Sequence, residues 1–584
     1  MGRLLFHFNF VNHNEKYGDE KLDYKIIIAE SLNKYLNMGV EEIYKIIQVP
    51  SNFKNGEFTF PCFILSKILK ESPDKISLEL KEKIGFIDYF EKIEANGPYL
   101  NFYIDKTQYA QFIIKKIISK EEVVIKNKFE DEKIVVIDSS VSFFENSMFN
   151  LYSILINNSL KNMLEYKGYK VVSELSLDIS NDVIARILYA YDKWGIEEQL
   201  KKDPMKEIYR LYTKFFDQLS KNEDLERKAK EKYNLLYKGD IKINSCWNLL
   251  KELALNQFKA TLKLMNIEFD LYNIEYIYNK YSNEIIKELK KNELVFKFLE
   301  NEVCILKEDN LPPCIIKNSC GELGSTIKTI DRMLYSKRFY DFYKYIYILK
   351  KDDMIQFNQL KQVCKKLNFL WVDDIYLVFI GLGNLNNYTF EGSNNRIWIA
   401  SLLNEIIKKS ERIKINKDVN LNNQIDLLKE ISINSLKFSF LKNNPETNII
   451  VSLESILSLD NNAGIKIQLL YIRGLSILQK YENMIKEIDD FSIVTKENYL
   501  LIKELGNYED VITDAMEKLD PSIIVNYLES LSLKIEFFYN NDCFSKSDNN
   551  SKLAFQLKVA KGTVIVINKC LNAIGISTEK IEEN

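Results

Sequence analysis

One segment, residues 133–172, constrains this chain most. Lys133-Ile134-Val135-Val136-Ile137-Asp138-Ser139-Ser140 is a short β-branched run ending in small polar residues. That pattern predicts a strand buried on both faces, as in a parallel sheet. A helical period follows from about Ser147 to Lys167, and Gly168-Tyr169-Lys170-Val171-Val172 reads as a second strand. Parallel neighbours need a crossover between them, so the segment is a βαβ unit, the building block of a doubly wound sheet.

A chain of 584 residues is too long for one core, so further units must flank that sheet. Residues 1–118 read as an α+β domain. Helical patterns at Tyr24–Leu36 and Val40–Ile47 precede the apolar run Phe60–Leu65, a helix ending near Lys70, and a β-like segment, Asn96–Ile104. The charged stretch Lys120–Lys133 reads as a linker. Residues 119–417 hold the Rossmann-like doubly wound core, with lysine-rich helices over 195–300 as an insertion. Further strand signals occur at Cys314–Ile316, Tyr345–Leu349 and Ile375–Ile380. From 418 to 584 amphipathic helices follow one another, broken only by Pro445 and Pro521, which predicts an α-helical bundle. The expected fold class is multidomain α/β.

Composition narrows the chemistry. The only histidines are His7 and His13, so the body of the chain works without imidazole, which excludes histidine triads, histidine general bases and His-rich metal sites there. Eight cysteines lie scattered without CxxC spacing. Cys314 and Cys320, the closest pair, have no histidine nearby, and no metal site is expected. Met1–Phe10 lacks the make-up of a signal peptide and no apolar stretch reaches membrane-spanning length, so reduced thiols, a cytoplasmic location and no membrane partner are expected. The net charge of −3 means that any RNA contact must come from local cations rather than the overall field.

Taken in order, the segments resemble the class I arginyl-tRNA synthetases over nearly the whole chain. Phe60–Lys83 followed by Glu94-Ala95-Asn96-Gly97-Pro98-Tyr99-Leu100-Asn101-Phe102 is similar to the extra N-terminal domain of that family. Ser159–Val171 resembles the helix and strand that follow its first signature. Lys337-Arg338, Tyr345–Leu349 and Gln356–Leu360 are similar to the second half of its nucleotide-binding domain. Val378–Gly383 and Leu402-Leu403-Asn404-Glu405 flank its second signature. Leu457–Arg473 and Tyr499–Ile576 resemble its helical anticodon-binding domain.

The resemblance implies an activity, joining arginine to tRNA with ATP and Mg, and it implies where the chemistry should sit. The first signature, of His-x-Gly-His type, falls on Ser147-Met148-Phe149-Asn150, with both imidazoles gone and Phe149 in place of the glycine. The second, a basic loop in the family, falls within Thr389–Asn395, on Glu391-Gly392-Ser393-Asn394, with Arg396 the only cation between Lys366 and Lys408. No lysine occurs between Lys133 and Lys161 either. Each stabilising group lost from an active site typically lowers rate by about 10²–10³. Asp138 and Asp331 are candidate remnants of the pocket whose carboxylates would meet a guanidinium. The plainer readings are that Ser147 or Asn146 caps the helix and that the two aspartates are ordinary polar residues at element ends.

Asn462, Gln468, Tyr471 and Arg473 match the family's anticodon face and are the candidate tRNA contacts. Residues 496–584 carry ten lysines and no arginine against fourteen acids, so this region would read RNA by stacking and polar contacts, with phosphate contacts from lysines at 200–238. The residues thus point to a divergent pseudo-synthetase: a tRNA-binding relative that has lost adenylation and needs no cofactor, with an arginine tRNA as first candidate. An active arginine–tRNA ligase using ATP and Mg is the alternative. An interaction scaffold without RNA is the second alternative.

Overall fold

The computed structural model describes residues 23–50, 55–119, 133–144, 148–220, 222, 224–274, 279–306, 311–319, 321–381, 383–385, 399–410, 424–458, 462–481, 494–541 and 550–578. Its N-terminal unit contains α1 (Tyr24–Asn33), α2 (Val40–Ile46), β1 (Phe58–Pro61), α3 (Ser66–Leu69), α4 (Pro73–Ile84), β2 (Phe90–Asn96) and β3 (Tyr99–Ile104). The strands form an antiparallel sheet in the order β1-β3-β2. Asn96 pairs with Tyr99, leaving Gly97-Pro98 as the turn, and Gly97 takes φ +54°, a conformation open to glycine without a Cβ penalty. A separate apolar core, from Tyr24 through Phe60 and Leu80 to Ile104, holds the unit together.

Helix α5 (Lys106–Ser119) leads to the central sheet. That region comprises β4 (Ile134–Ser142), α6 (Met148–Tyr166), β5 (Lys170–Asp178), α7 (Asn181–Trp194), α8 (Glu197–Lys202), α9 (Pro204–Leu219), α10 (Leu225–Tyr237), α11 (Ile241–Leu264), β6 (Leu271–Ile274) and α12 (Asn279–Lys291). A three-stranded antiparallel sheet, β7 (Val295–Phe298), β8 (Asn301–Cys304) and β9 (Cys314–Lys317), precedes α13 (Ser325–Tyr340), β10 (Lys344–Lys350), α14 (Met354–Lys366) and β11 (Ile375–Ile380). The main sheet is parallel, with strand order β11-β10-β4-β5-β6. The chain leaves β4 on one side through α6 and returns on its other side at β10. The reversal makes a crevice outside the carboxyl ends of β4 and β10, where doubly wound sheets bind ligands.

Beyond β12 (Gly383–Leu385) and α15 (Ile399–Ser410) come α16 (Gln424–Leu441), β13 (Ile449–Val451), α17 (Leu453–Ile456), α18 (Ala463–Lys480), α19 (Lys496–Gly506), α20 (Tyr508–Glu517), α21 (Ser522–Asn541) and α22 (Asn550–Ala573). Their apolar faces continue directly into the sheet: one cluster runs from Val135, Leu151 and Leu175 to Phe440, Leu528, Ile567 and Ile576. Ala110, Ile114 and Ile117 of α5 join that cluster too. Among the described residues no helix is long and apolar enough to cross a membrane.

Candidate functional site at the carboxyl end of the sheet

A cavity of ≈ 620 Å³ opens at the crevice. Its lining comes from the ends of β4 (Ser140, Ser142), β5 (Asp178), β10 (Tyr347, Lys350) and the first turns of α6, α13 and α14. Phe149 and Asn150, two of the four residues on which the first signature is expected to fall, line the cavity. Phe149 is buried in the wall with Lys350 Nζ 4.2 Å from its ring centroid. Asn150 uses its amide to donate to the Ser142 carbonyl at 2.8 Å, tying the first turn of α6 to the end of β4. Ser147 and the side chain of Met148 lie outside the described residues, as do Glu391, Gly392, Ser393 and Asn394.

Asp138 sits under the cavity floor, fully buried in β4. Its Oδ1 accepts from the Ser176 hydroxyl at 2.8 Å and its Oδ2 from the Tyr345 hydroxyl at 3.0 Å. The counter-charge is Arg332, whose Nη2 lies 2.9 Å from Asp138 Oδ2. Although burial opposes a charge on Arg332, Asp138 beside it raises the affinity for the proton well above the ordinary value. Glu174, one strand over on β5, accepts from Ser336 at 2.8 Å and Asn273 at 3.3 Å. Burial first, and the Asp138 charge second, push its carboxyl up to about 8, so it is largely protonated at neutral pH. The site therefore holds one buried ion pair with a neutral acid beside it.

Asp331 requires a correction. It turns away from the cavity and accepts from the backbone N–H of Ser282 at 2.7 Å, from the Ser282 hydroxyl, and from the Tyr281 N–H at 3.4 Å. These bonds fasten the first turn of α12 to α13, so Asp331 is a tether between helices. A helix turns about 100° per residue, and it is the next residue, Arg332, that lines the cavity. Sequence reasoning missed Arg332. The signal was present: Ser325, Lys328, Thr329 and Arg332, at i, i+3, i+4 and i+7, make a polar stripe along one helix face.

The bundle residues need a similar correction. Asn462 caps α18, its Oδ1 accepting from Gly464 and Ile465 while its amide donates to Ser439, Ser455 and Ile456. Gln468 is 1% exposed, donates to Ile431, Ser435 and Gly464, and accepts from Asn434. Tyr471 is equally buried, its hydroxyl accepting from Asn568 at 3.0 Å. These three hold helices together and present nothing to a base. Only Arg473 reaches the surface, where it bonds the Asn540 side chain and the Tyr539 carbonyl. In the lysine-rich insertion, Lys201, Lys228, Lys232 and Arg227 each pair with a neighbouring acid, which locally offsets their charge. Among the described residues no group of three or more His, Cys, Asp or Glu side chains gathers to hold a metal ion.

Known proteins match this architecture from end to end. Family models describe residues 23–104 as the arginyl tRNA synthetase N-terminal domain, 113–453 as the catalytic domain of class I (R) tRNA synthetases, and 467–581 as the DALR anticodon binding domain. An arginine–tRNA ligase of Clostridium botulinum is 32% identical over 559 residues, covering 95% of this chain and 99% of the relative. One of Clostridium beijerinckii is 30% identical over 558 residues, covering 95% and 99%. Among solved structures, the Thermus thermophilus arginyl-tRNA synthetase superposes with TM-score 0.70 at 16% identity, covering 95% of this chain and 98% of that one. The Plasmodium falciparum enzyme gives 0.67 at 18%, covering 95% and 97%. By the class I (R) catalytic model and by relatives at 30–32% identity along nearly all its length, the chain belongs to the arginyl-tRNA synthetase family.

Proposed function

We propose that this family member binds tRNA without adenylating arginine. The observation that carries the reading is the composition of the cleft at the head of α6: Phe149 and Asn150 stand there, and the chain has no histidine after His13. Amino-acid activation needs groups that stabilise charge developing on the phosphates. A glycine at position 149 would leave the first-turn amides of α6 open to a phosphate or ribose, whereas the phenyl ring fills that approach. The floor adds a second argument. A free arginine would bring a guanidinium to meet a carboxylate, and Asp138 already has Arg332.

The tRNA part of the reading rests on the anticodon-binding domain over 467–581 and on relatives named arginine–tRNA ligase. The same relatives favour a second reading, an active arginine–tRNA ligase, because identity at 32% runs through the catalytic region as well. Arginine-dependent exchange of pyrophosphate into ATP separates the two. Negligible exchange is expected, and turnover of roughly 1 per second or more, ordinary for an enzyme of this kind, establishes the ligase instead. A gel shift with tRNA tests the other half: no complex at micromolar protein and low salt leaves a scaffold that does not read RNA.

A further inference from the structure

The last rung of the β8–β9 ladder pairs two cysteines. Cys304 ends β8, Cys314 begins β9, and the two stand directly opposite in the antiparallel register. Opposite residues of an antiparallel pair point to the same face, with Cα atoms about 4.5–5.5 Å apart. A disulfide bridges Cα separations of about 4.4–6.8 Å, so the rung has the dimensions that one requires. Both side chains are buried in the core that β8 and β9 share with α13 and α14, and both are free thiols.

Burial pushes the Cys314 thiol up to about 11 and Cys304 above its ordinary value, so neither is a reactive thiolate while the rung is closed. The rung is, however, the terminal one, on an edge strand of its sheet. Ile305 on one side, and Pro312 and Pro313 on the other, are exposed, and the end of a ladder opens at far lower cost than its middle. Opening this one rung brings out both thiols together. Behind it stands the wall of the cleft. The Pro312 carbonyl accepts from the Gln359 amide of α14 at 3.0 Å, and the Ile316 carbonyl of β9 accepts from the Gly324 N–H at the start of α13 at 2.9 Å. Gln359 also accepts from the Thr326 hydroxyl of α13 at 3.4 Å. The neighbours of these residues, Ser325 on α13 and Leu360 on α14, line the cavity.

We propose that Cys304 and Cys314 are a dithiol latch, which closes to a disulfide by exchange with a small disulfide such as oxidised glutathione and fixes β9 against the α13–α14 wall of the cleft. When the rung opens, one cysteine gives its proton to solvent and its thiolate attacks a sulfur of the small disulfide. A mixed disulfide forms, the small S–S bond breaks, and one small thiolate leaves and takes up a proton. The second cysteine, as its thiolate, attacks the protein sulfur of the mixed disulfide. The Cys304–Cys314 bond forms and the other small thiolate is expelled, to be protonated in turn. Two protein thiols thus pass two electrons and two protons to one small disulfide, which becomes two thiols. The new bond ties off residues 305–313 and removes freedom from the open chain. The latch does not depend on whether tRNA binds or adenylation survives.

The test incubates the full chain with oxidised glutathione at about pH 8 and, in parallel, with reduced glutathione. Each sample is alkylated in denaturant and mapped by mass spectrometry without reduction, and its melting temperature is measured before denaturant is added. Oxidation should yield a peptide pair joined through Cys304 and Cys314, with a melting temperature a few degrees above that of the reduced chain. Dithiothreitol should return both to their starting state. In Cys304→Ala and Cys314→Ala the linked pair and the rise should both be lost. The map is read on the parent chain, so it decides the assignment even where a variant does not fold. The proposal is overturned if both cysteines remain alkylated after oxidation, if either is found joined to glutathione or to another cysteine instead, or if the linked chain melts no higher than the reduced one.

Discussion

Arg332 and Asp138 stabilise each other in a place where neither could stand alone. Removing one partner of a buried pair leaves an uncompensated charge and typically costs about 3–5 kcal/mol. Arg332→Ala should therefore unfold at clearly lower urea than the parent, with part of the loss recovered when Asp138→Asn is added. Because the truncated side chain leaves its space beside the cavity, low-millimolar methylguanidinium should raise the melting temperature of Arg332→Ala and leave the parent unchanged. Equal responses from both proteins would show that Asp138 does not require a guanidinium. Glu174 gives a prediction in pH. Its carboxyl is protonated in the fold up to about 8, while in the unfolded chain it ionises near the ordinary carboxylate value. Between those values the unfolded state binds fewer protons, so this residue makes the fold less stable as pH rises from about 5 to 8. Glu174→Gln cannot ionise, and its stability relative to the parent should climb across that window. A difference that stays flat in urea melts at pH 5, 6.5 and 8 would contradict the buried, protonated carboxyl. How far such a site can be read from sequence depends on the residue. Asp138 could be placed in a buried strand from its β-branched run alone, although it lies in the middle of β4 and not at the end that the pattern suggested. Asp331 and Arg332 are adjacent in the chain, yet Asp331 faces α12 and Arg332 faces β4 and the cavity, so the choice between them needed the rotation of α13, which a one-residue shift in alignment changes by about 100°.

At the scale of elements, the βαβ unit was legible because its signals are local. The apolar run of β4, the helical period of α6 and the glycine before β5 all lie within residues 133–172. The strand extends further than the pattern suggested, to Ser142, because parallel pairing with β5 continues to Asp178 after pairing with β10 has ended at Ser139, and Ser140 and Ser142 there line the cavity. The bundle was legible as a set of helices, but its polar residues were not legible as contacts. Asn462, Gln468 and Tyr471 lie on α18 or at its start, and sequence position says nothing about which face packs inward when the helix is apolar on most sides. Gln468 bridges α18 to α16 through Asn434, Ser435 and the Ile431 carbonyl. Replacing it by Ala strands several buried groups and should cost about 1–3 kcal/mol. Arg473→Ala, at the surface, should change stability by less than about 0.5 kcal/mol, while weakening any tRNA complex that uses this face. Loss of tRNA binding by Gln468→Ala beyond what its lowered stability explains would return that residue to the RNA surface.

At the scale of the whole molecule, the distribution of apolar packing decides which parts can stand alone. The N-terminal unit keeps its own core, and its aromatic Tyr24 meets the rest through Tyr109 at 5.9 Å, with Tyr109 in turn 5.5 Å from Tyr499 of α19. The sheet and the bundle, in contrast, share one core. Tyr152 of α6 packs on Phe440 of α16, and α5 inserts Ile114 and Ile117 among the same side chains that seat α22. Cutting between sheet and bundle would expose apolar surface on both pieces, and each buried aliphatic or aromatic side chain laid open costs about 1.5–3 kcal/mol. Many such residues cross this boundary, against a typical domain stability of about 5–15 kcal/mol, so neither piece should fold when separated. A chain beginning at Asp105 should keep the melting transition of the sheet and bundle while losing a smaller one that belongs to the N-terminal unit. A chain ending at Ser458 should give no cooperative transition and should bind a dye specific for exposed apolar surface. Calorimetry of the three proteins checks both outcomes. A cooperative, monomeric fold in the chain ending at Ser458 would mean that the sheet closes its core without the bundle. In that event, tRNA contacts on the bundle and ligand binding in the cleft would be energetically separate. With a shared core, occupancy of the cleft and of the bundle stabilise one cooperative unit, and each should raise the melting temperature of the same transition.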